Sequence, residues 1–524
     1  MNNTLSQGSL SAPTWIWYPG DFEIVLANKV QNRRTERGTF FPVFWKLDNH
    51  YVLMDFHKVV EVPAPETVDI YVEGEYHVKL DGKAFEGSPK QIVVPAGKHK
   101  INIKVFNQAN VPAIYVKGET IFSDSSWLVT FEDKEWIDET GKASDISATK
   151  WVNAGSSNFN SPAQSPSQFM LPTKEQEAVA VTKGKQSMLV DFGKETFGFI
   201  QLHGLVGKGN LSVYYGESAP EALSAEHCET LDRLEVDNPS KNDHVMNLSK
   251  AYRFVHVQYD EGVMLDSVSM LYEYADVKER GSFTCDDAEV NRIYEVAKYT
   301  FELNTREFFI DGIKRDRWIW SGDAYQSYLM NYYLYFDNET VKRTTYALRG
   351  KDPITGHINT IMDYTFYWFL GIYDYYLYTG DRSFITQIYD RMKSLMDYVL
   401  ARRNKNGLME WLPGDWIFID WAAGLSKKGE VSFEQLLLAR SLETMALCAD
   451  IVGDKEGSAG YNQLSVDMRK KLFELYWNEQ KQALVHSRIN GTQTDNVTRY
   501  ANMFSIFFDY FNQQKNQAVK KRSE

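Results

Sequence analysis

Between residues 311 and 323 the chain reads DGIKRDRWIWSGD, set between an apolar FFI and the aromatic YQSYLMNYYLYF. Three aspartates, a lysine and two arginines share that short stretch. If Asp311, Asp316 and Asp323 converge, their mutual repulsion raises the proton affinity of one, while Lys314, Arg315 or Arg317 keeps others ionised. Carboxyls driven apart in this way suit hydrolysis of a glycosidic bond, where one protonates the leaving oxygen and another activates water or attacks. The same charges could instead be surface ion pairs around a helix cap, which are common and contribute little.

The neighbouring aromatics favour the first reading. Trp318, Trp320 and Tyr325 lie in or beside the motif, and two later stretches repeat the mixture of acids and rings. One is DYTFYWFLGIYDYYLY, opening on Asp363, and the other is EWLPGDWIFIDW at 410–421. Aromatic faces bind the C–H face of a sugar while carboxylates bond its hydroxyls, although most Tyr and Phe in helical stripes are core. At GDW (414–416), Asp415 could cap a turn with Trp416 buried. Gly414 permits close backbone approach and Trp421 adds a second ring, which favours binding there.

The elements that must position these groups can be read from periodicity. Ser321, Gly322 and Asp323 are helix-start signals, so the motif lies on a loop entering a helix. In CDDAEVNRIYEVAKYTFELN, Val290, Ile293, Tyr294 and Ala297 recur at helical steps, and Asp286 with Glu289 has capping-box spacing. Further stripes fall near 324–336, 340–348, 362–379, 384–403, 431–452, 459–477 and 497–511, about eight helices in all. Earlier, period-two runs such as GKHKINIKVFN, in which Ile101, Ile103 and Val105 alternate with Asn102 and Lys104, mark strands. The expected order is an N-terminal accessory β-sandwich (1–150), a second β-sandwich (151–280) and a helical domain (281–524). The polar DISATKWVNAGSSNFNSPAQSPSQF is expected to connect the two sandwiches. Helix pairs of uneven length, with no short repeat, fit an α/α toroid better than a regular solenoid.

Composition removes several alternatives. A chain of 524 residues has room for several domains. Its net charge of −13 argues against nucleic acid or an anionic membrane as partner. Cys228, Cys285 and Cys448 are too few and too scattered for a disulfide framework or a clustered zinc site. No run of eighteen apolar residues occurs, so no membrane insertion is expected. The start lacks the order of a secretory signal, leaving a cytoplasmic location, or a periplasmic or secreted one with a leader removed. HExxH, Walker and GxSxG motifs are absent, and no GxGxxG stands between a strand and a helix. His256 lies in a strand pattern and reads as structural. No cofactor or metal is expected, and oligomeric state is not encoded in any pattern found.

The arrangement D-x-x-x-R-(acid)-R-x-x-W-x-G-D, placed at the start of a helical region after two β domains, resembles bacterial α-L-rhamnosidases. These are inverting glycoside hydrolases with an (α/α)6 barrel. DFGKETFGFIQL, VYYGES, YRFVHVQ, GSFTCDDAEVNRIYEVA and the GDW stretch add to the resemblance, which spans residues 185–455. It implies that Asp316 is the general acid, that Asp311 and Asp323 bind rhamnose hydroxyls, and that Arg315 and Trp320 shape the pocket. Asp363, Asp415 and Trp416 join them as expected substrate-binding residues. The substrate implied is a rhamnosyl glycoside or polysaccharide.

Two departures stand out. The family commonly has Glu where this chain has Asp316, one methylene shorter. Its general base is a Glu beside Trp late in the barrel, and no matching Trp-Glu stretch occurs near the C-terminus here. The helix count of about eight against twelve leads to the expectation of an incomplete barrel, with the base beyond Glu524 or replaced by Asp415 or Asp420. Little activity is then expected of these 524 residues alone. Two alternatives remain open: a carbohydrate-binding protein without catalysis, and a lyase or phosphorylase on the same toroid. A lyase is disfavoured by the acidic motif, and a phosphorylase would also need a phosphate pocket.

Overall fold

The structure, a computed structural model, describes residues 12–31, 48–131, 150–512 and 519. Its chain divides into two compact units, with the boundary between Met170 and Leu171.

The first unit is a sandwich of two antiparallel sheets. Five strands run in the order Gly155–Ser156, Ile16–Trp17, Ala113–Lys117, Glu66–Glu73 and Gln91–Val94. Six run Val152–Asn153, Leu128–Phe131, Leu53–Val62, Gly97–Phe106, Glu75–Leu80 and Lys83–Ala84. The alternation read from the sequence sets the packing. Ile101, Ile103 and Val105 are buried, and they share one core with Val68, Ile70 and Ile114 of the other sheet. This unit also holds α1 (Asp21–Gln31), at least as far as Lys29.

The segment expected to connect two domains belongs to this one. Val152–Asn153 pairs with Leu128–Val129 and Gly155–Ser156 pairs with Ile16–Trp17, adding a strand to each sheet, while Ala154 between them is buried. Sheet edges accept short polar strands because backbone hydrogen bonds, rather than apolar side chains, hold them. The expected boundary at 150 therefore moves to 170; residues 132–149 lie outside the described residues.

In the second unit a seven-stranded antiparallel network is organised around one continuous segment, Ser187–Gly216. Ser187–Asp191 and Leu211–Gly216 both pair with Phe254–Tyr259, and shifts of register between them let the strand double back. The short helix α2 (Ala219–Leu223) follows. This sheet and the helices fall within one compact unit.

Eight described helices come next: α3 (Ala288–Asn304), α4 (Ser321–Leu334), α5 (Asn338–Arg349), α6 (Met362–Thr379), α7 (Arg382–Ala401), α8 (Ser432–Val452), α9 (Lys455–Tyr476) and α10 (Arg499–Phe507). Packing runs from α4 to α6 to α8 to α10, while α5, α7 and α9 also lie against that row. The row helices α4, α6 and α8 are buried over much of their surface, which explains their weakly amphipathic, aromatic-rich sequences. Two hairpins share one punctuation. Gly380 and Gly453 end α6 and α8 in the left-handed conformation, and Asp381 and Asp454 then cap α7 and α9 through the Phe384 and Gly457 amides.

The first helix departs from expectation in two ways. Its cap is Asp287, which accepts from the Glu289 and Val290 amides, rather than Asp286. Its stripe of Val290, Ile293 and Ala297 is exposed, with Ile293 at 60%. Periodicity correctly gave a helix, but the buried end of α3 is Phe301 and Leu303.

Candidate active site

The 311–323 loop is built from two opposed sets of charges. Lys314 bonds Glu221 at 2.8 Å and Glu217 at 3.2 Å, and Arg315 pairs with Glu229 at 3.5 Å, all three glutamates lying on or beside the β network. Arg317 is buried and donates to the Ser249 carbonyl at 2.7 Å. Just upstream, buried Arg306 donates to the Glu273 carbonyl and pairs with its carboxylate. Arg306 and Arg317 both lie over the Phe197 ring, at 4.4 and 5.7 Å. The cations thus fasten the loop to the sheet. Arg315, expected to shape the pocket, instead has a side chain 75% exposed and directed to Glu229.

The acids stand within electrostatic reach of one another, with Asp323 on the helical side. Asp311 closes the loop by accepting from the Trp318 amide at 3.0 Å, while its own amide donates to the Trp318 carbonyl. Asp316 and Arg317 both adopt left-handed backbone, with φ of 55° and 45°. Successive non-glycine residues there cost about 1–2 kcal/mol each, and such strain persists only where the surroundings enforce it. Here the Arg317 anchor and the Asp311–Trp318 closure enforce it, presenting Asp316 at the turn.

Asp323 stands in the first turn of α4 and accepts from the Tyr364 hydroxyl at 3.3 Å. Enclosure pushes the Asp311 carboxyl up to about 8, against the Trp318 amide and with help from Asp316 and Asp323. Asp323 is also raised, again mainly by burial, with Asp316 adding. The three carboxyls therefore influence one another, but burial rather than the mutual repulsion expected from the motif is the larger cause of the raised values.

α4 is set in place by residues that sequence reasoning missed. Asn359 accepts from the Ser321 amide at 3.0 Å and donates to the Ile319 carbonyl at 3.1 Å, capping the helix from another loop. Gly322 leaves room for Tyr364: a Cβ there would stand 2.7 Å from the ring. Trp320 immediately precedes α4 and meets the Tyr364 ring edge-on at 6.2 Å.

Beside Asp323 opens a cavity of about 650 Å³, lined by Asp323, Tyr364, Tyr367, Asp420, Trp421 and Phe507 among others. It combines aromatic faces with two carboxyls. Asp420 accepts from the Tyr500 hydroxyl at 2.5 Å and from Arg499 at 3.2 Å, which hold its carboxyl below the usual range and hence ionised.

Other expected ligands lie elsewhere. Asp363 is fully buried and accepts from the Phe418 and Ile419 amides at 3.0 and 2.8 Å, so it shapes the 415–421 loop from behind. Burial pushes its carboxyl up to about 6 despite those bonds. Asp415 is bound to Arg402 at 2.6 and 2.7 Å and does not line the cavity. Trp416 backs the rim, edge-on to Phe418 and Trp421, and it is Trp421 that lines the cavity, 79% exposed.

Glu434, in the first turn of α8, was also missed. Neither of its oxygens has a hydrogen-bond partner among the described residues, and burial with Asp363 nearby raises it well above the usual range, so it is neutral. A lone acid in the run VSFEQLLLA was its only signal. Among the described residues no cluster of His, Cys, Asp or Glu suits a metal ion, and no helix is long and apolar enough to cross a membrane.

β domains ahead of helices packed in alternating rows, with a carboxyl group at the start of α4, define the six-hairpin glycosidase class of fold. A family model described as the N-terminal domain of Bacteroidetes α-rhamnosidase-like proteins matches residues 54–257. Another, for the bacterial α-L-rhamnosidase six-hairpin glycosidase domain, matches residues 278–524. The chain belongs to the bacterial α-L-rhamnosidase family.

An α-L-rhamnosidase of Formosa agariphila is 27% identical over 183 residues, covering 30% of this chain and 19% of that protein. The GH78 rhamnosidase of Bacillus sp. GL1 superposes with a TM-score of 0.56 at 16% identity, over 90% of this chain and 57% of that one. The rhamnose-bound Klebsiella oxytoca rhamnosidase gives 0.56 at 16%, over 67% and 79%. The chain thus spans little more than half of the Bacillus enzyme and a fifth of the Formosa one.

Proposed function

We propose that the protein is a glycoside hydrolase that releases terminal α-L-rhamnose from glycosides or polysaccharides with inversion. The observation that carries this reading is the grouping of Asp311, Asp316 and Asp323 around the start of α4, beside an aromatic cavity. Asp316, presented by the enforced turn, acts as the general acid on the leaving oxygen. Asp311, which keeps its proton at neutral pH, and Asp323 bond the sugar hydroxyls, while Tyr364, Tyr367 and Trp421 supply apolar faces.

Inversion also needs an ionised carboxylate across the sugar, about 6.5–9.5 Å from the acid, with water between them. Within the described residues Asp420 suits that role better than Asp415. It lines the cavity and stays ionised, whereas Asp415 is committed to Arg402.

The test is hydrolysis of an aryl α-L-rhamnoside and of a natural rhamnoside, with the product anomer followed by NMR. Asp316→Asn should reduce turnover of the natural glycoside by at least about 10²-fold, in keeping with loss of a general acid. The first product should be β-L-rhamnose. Unchanged turnover in Asp316→Asn removes Asp316 from the role, and rhamnose binding without hydrolysis by the wild-type chain leaves recognition alone.

A further inference from the structure

The first unit carries a groove of its own, of about 750 Å³, on the outer face of its five-stranded sheet. That volume lies within the range of small-molecule sites, about 300–1,000 Å³. Strand alternation builds its floor. Val68 and Ile70 of Glu66–Glu73 belong to the core, so Asp69, Tyr71 and Glu73 stand on the other face. Gln91 on one neighbouring strand is in register with Asp69, and Tyr115 on the other with Tyr71. The walls are tied to the sheet. Trp15 Nε1 donates to the Ser161 carbonyl at 3.0 Å and the Tyr115 hydroxyl to the Asn160 carbonyl at 3.2 Å, fixing the segment that brings Pro162 and Gln168 to the groove. The Tyr76 hydroxyl donates to the Pro89 carbonyl at 3.1 Å and holds the residues just before Lys90 and Gln91.

The chemistry of the lining fits a sugar. Tyr71 meets Tyr115 edge-on at 5.9 Å, yet Tyr115 is 2% exposed and Tyr71 41%. A lone exposed ring is ordinary. This one stands next to a fixed polar pair, in which the Gln91 amide donates to Asp69 Oδ1 at 2.8 Å. Asp69 Oδ2 and Gln91 Oε1 remain as acceptors, and the Lys90 ammonium and Gln168 amide as donors, with no other hydrogen-bond partner among the described residues. The charges do not select an anion: the groove holds Asp69 and Glu73 against Lys90, and Glu73 is already bonded by the Ser167 hydroxyl and amide.

We propose that this groove binds a neutral sugar chain, with one ring stacked on Tyr71 and its hydroxyls bonded by Asp69 and Gln91. An aromatic face with adjacent acceptors and donors matches a pyranose, whose C–H face is apolar and whose rim carries hydroxyls. All of the lining residues belong to the first unit, whereas those of the aromatic cavity belong to the second. The inference therefore goes beyond the rhamnoside reading and stands whether or not Asp316 is the general acid. A polysaccharide held at this groove is kept at high local concentration for a second site in the same chain.

The experiment is titration calorimetry on the whole chain with xylotetraose, mannotetraose, galactotetraose and tri-galacturonate. At least one neutral chain should bind with a dissociation constant of about 1 mM or tighter, and about ten-fold more tightly than tri-galacturonate. Tyr71→Ala should weaken that binding about ten-fold, whereas Tyr71→Phe should retain it, because the ring face is what stacks. Asp69→Ala/Gln91→Ala, which leaves the ring in place, should also weaken it about ten-fold. Thermal unfolding followed by circular dichroism should be unchanged in all three variants. Absence of binding by every neutral chain, equally tight binding of tri-galacturonate, or neutral-chain binding that survives either Tyr71→Ala or the double variant overturns the inference.

Discussion

Replacing Asp311 by Asn tests the electrostatics of the loop without removing its hydrogen bond, since the amide oxygen can still accept from Trp318. In the folded protein the Asp311 carboxyl titrates at about 8 rather than 3.8. Between those values the folded state holds a proton that the unfolded chain has released, so stability falls as pH rises through the window. Each unit costs about 1.4 kcal/mol. From pH 5 to pH 8 the wild type should therefore lose about 4 kcal/mol relative to Asp311→Asn, which has no charge to bury.

Glu195, Asp363 and Glu434 are also raised, but they are common to both proteins and cancel in the difference. The assay is urea unfolding of both proteins at pH 5, 6, 7 and 8. Rhamnose binding, in contrast, should be weakened in the variant at every pH. Stability curves that stay parallel within about 1 kcal/mol, less than one pKa unit's worth, would refute the burial of this carboxyl and with it the picture of a protonated Asp311.

Other perturbations follow from the same structure. Gly322→Ala should displace Tyr364 from Asp323 and weaken rhamnose binding about ten-fold, equivalent to about 1.4 kcal/mol, with near-unchanged circular dichroism; calorimetry checks both affinity and fold. Arg306→Met leaves the Glu273 carboxylate buried beside an apolar side chain. It should cost about 3–5 kcal/mol in urea unfolding, and a double Arg306→Met/Glu273→Gln variant should recover part of that loss.

Local order was legible because local chemistry specifies it. The eight helical stripes and the alternation at Ile101, Ile103 and Val105 each rest on contacts or dihedrals within a few residues. Short polar strands at sheet edges carry no such signal, which is why 152–156 reads as a linker. The α3 stripe shows the converse limit: amphipathic spacing predicts a helix, but burial of a given face depends on what packs against it.

The same division governs the site. By itself the sequence determined that acids and aromatics meet at the start of a helix, because DGIKRDRWIWSGD holds the acids and the start signals in one stretch. Tertiary structure alone decided which charges face the cavity. Lys314, Arg315 and Arg317 find partners on or beside a sheet some 70–100 residues earlier in the chain, leaving Asp323 to line the aromatic cavity. It likewise recruited Tyr364, Tyr367 and Asp420 to the cavity and turned Asp363 and Asp415 away from it. The physical reason is that a carboxyl's role is fixed by its solvent exposure and its partners, and both are properties of residues brought together across the fold.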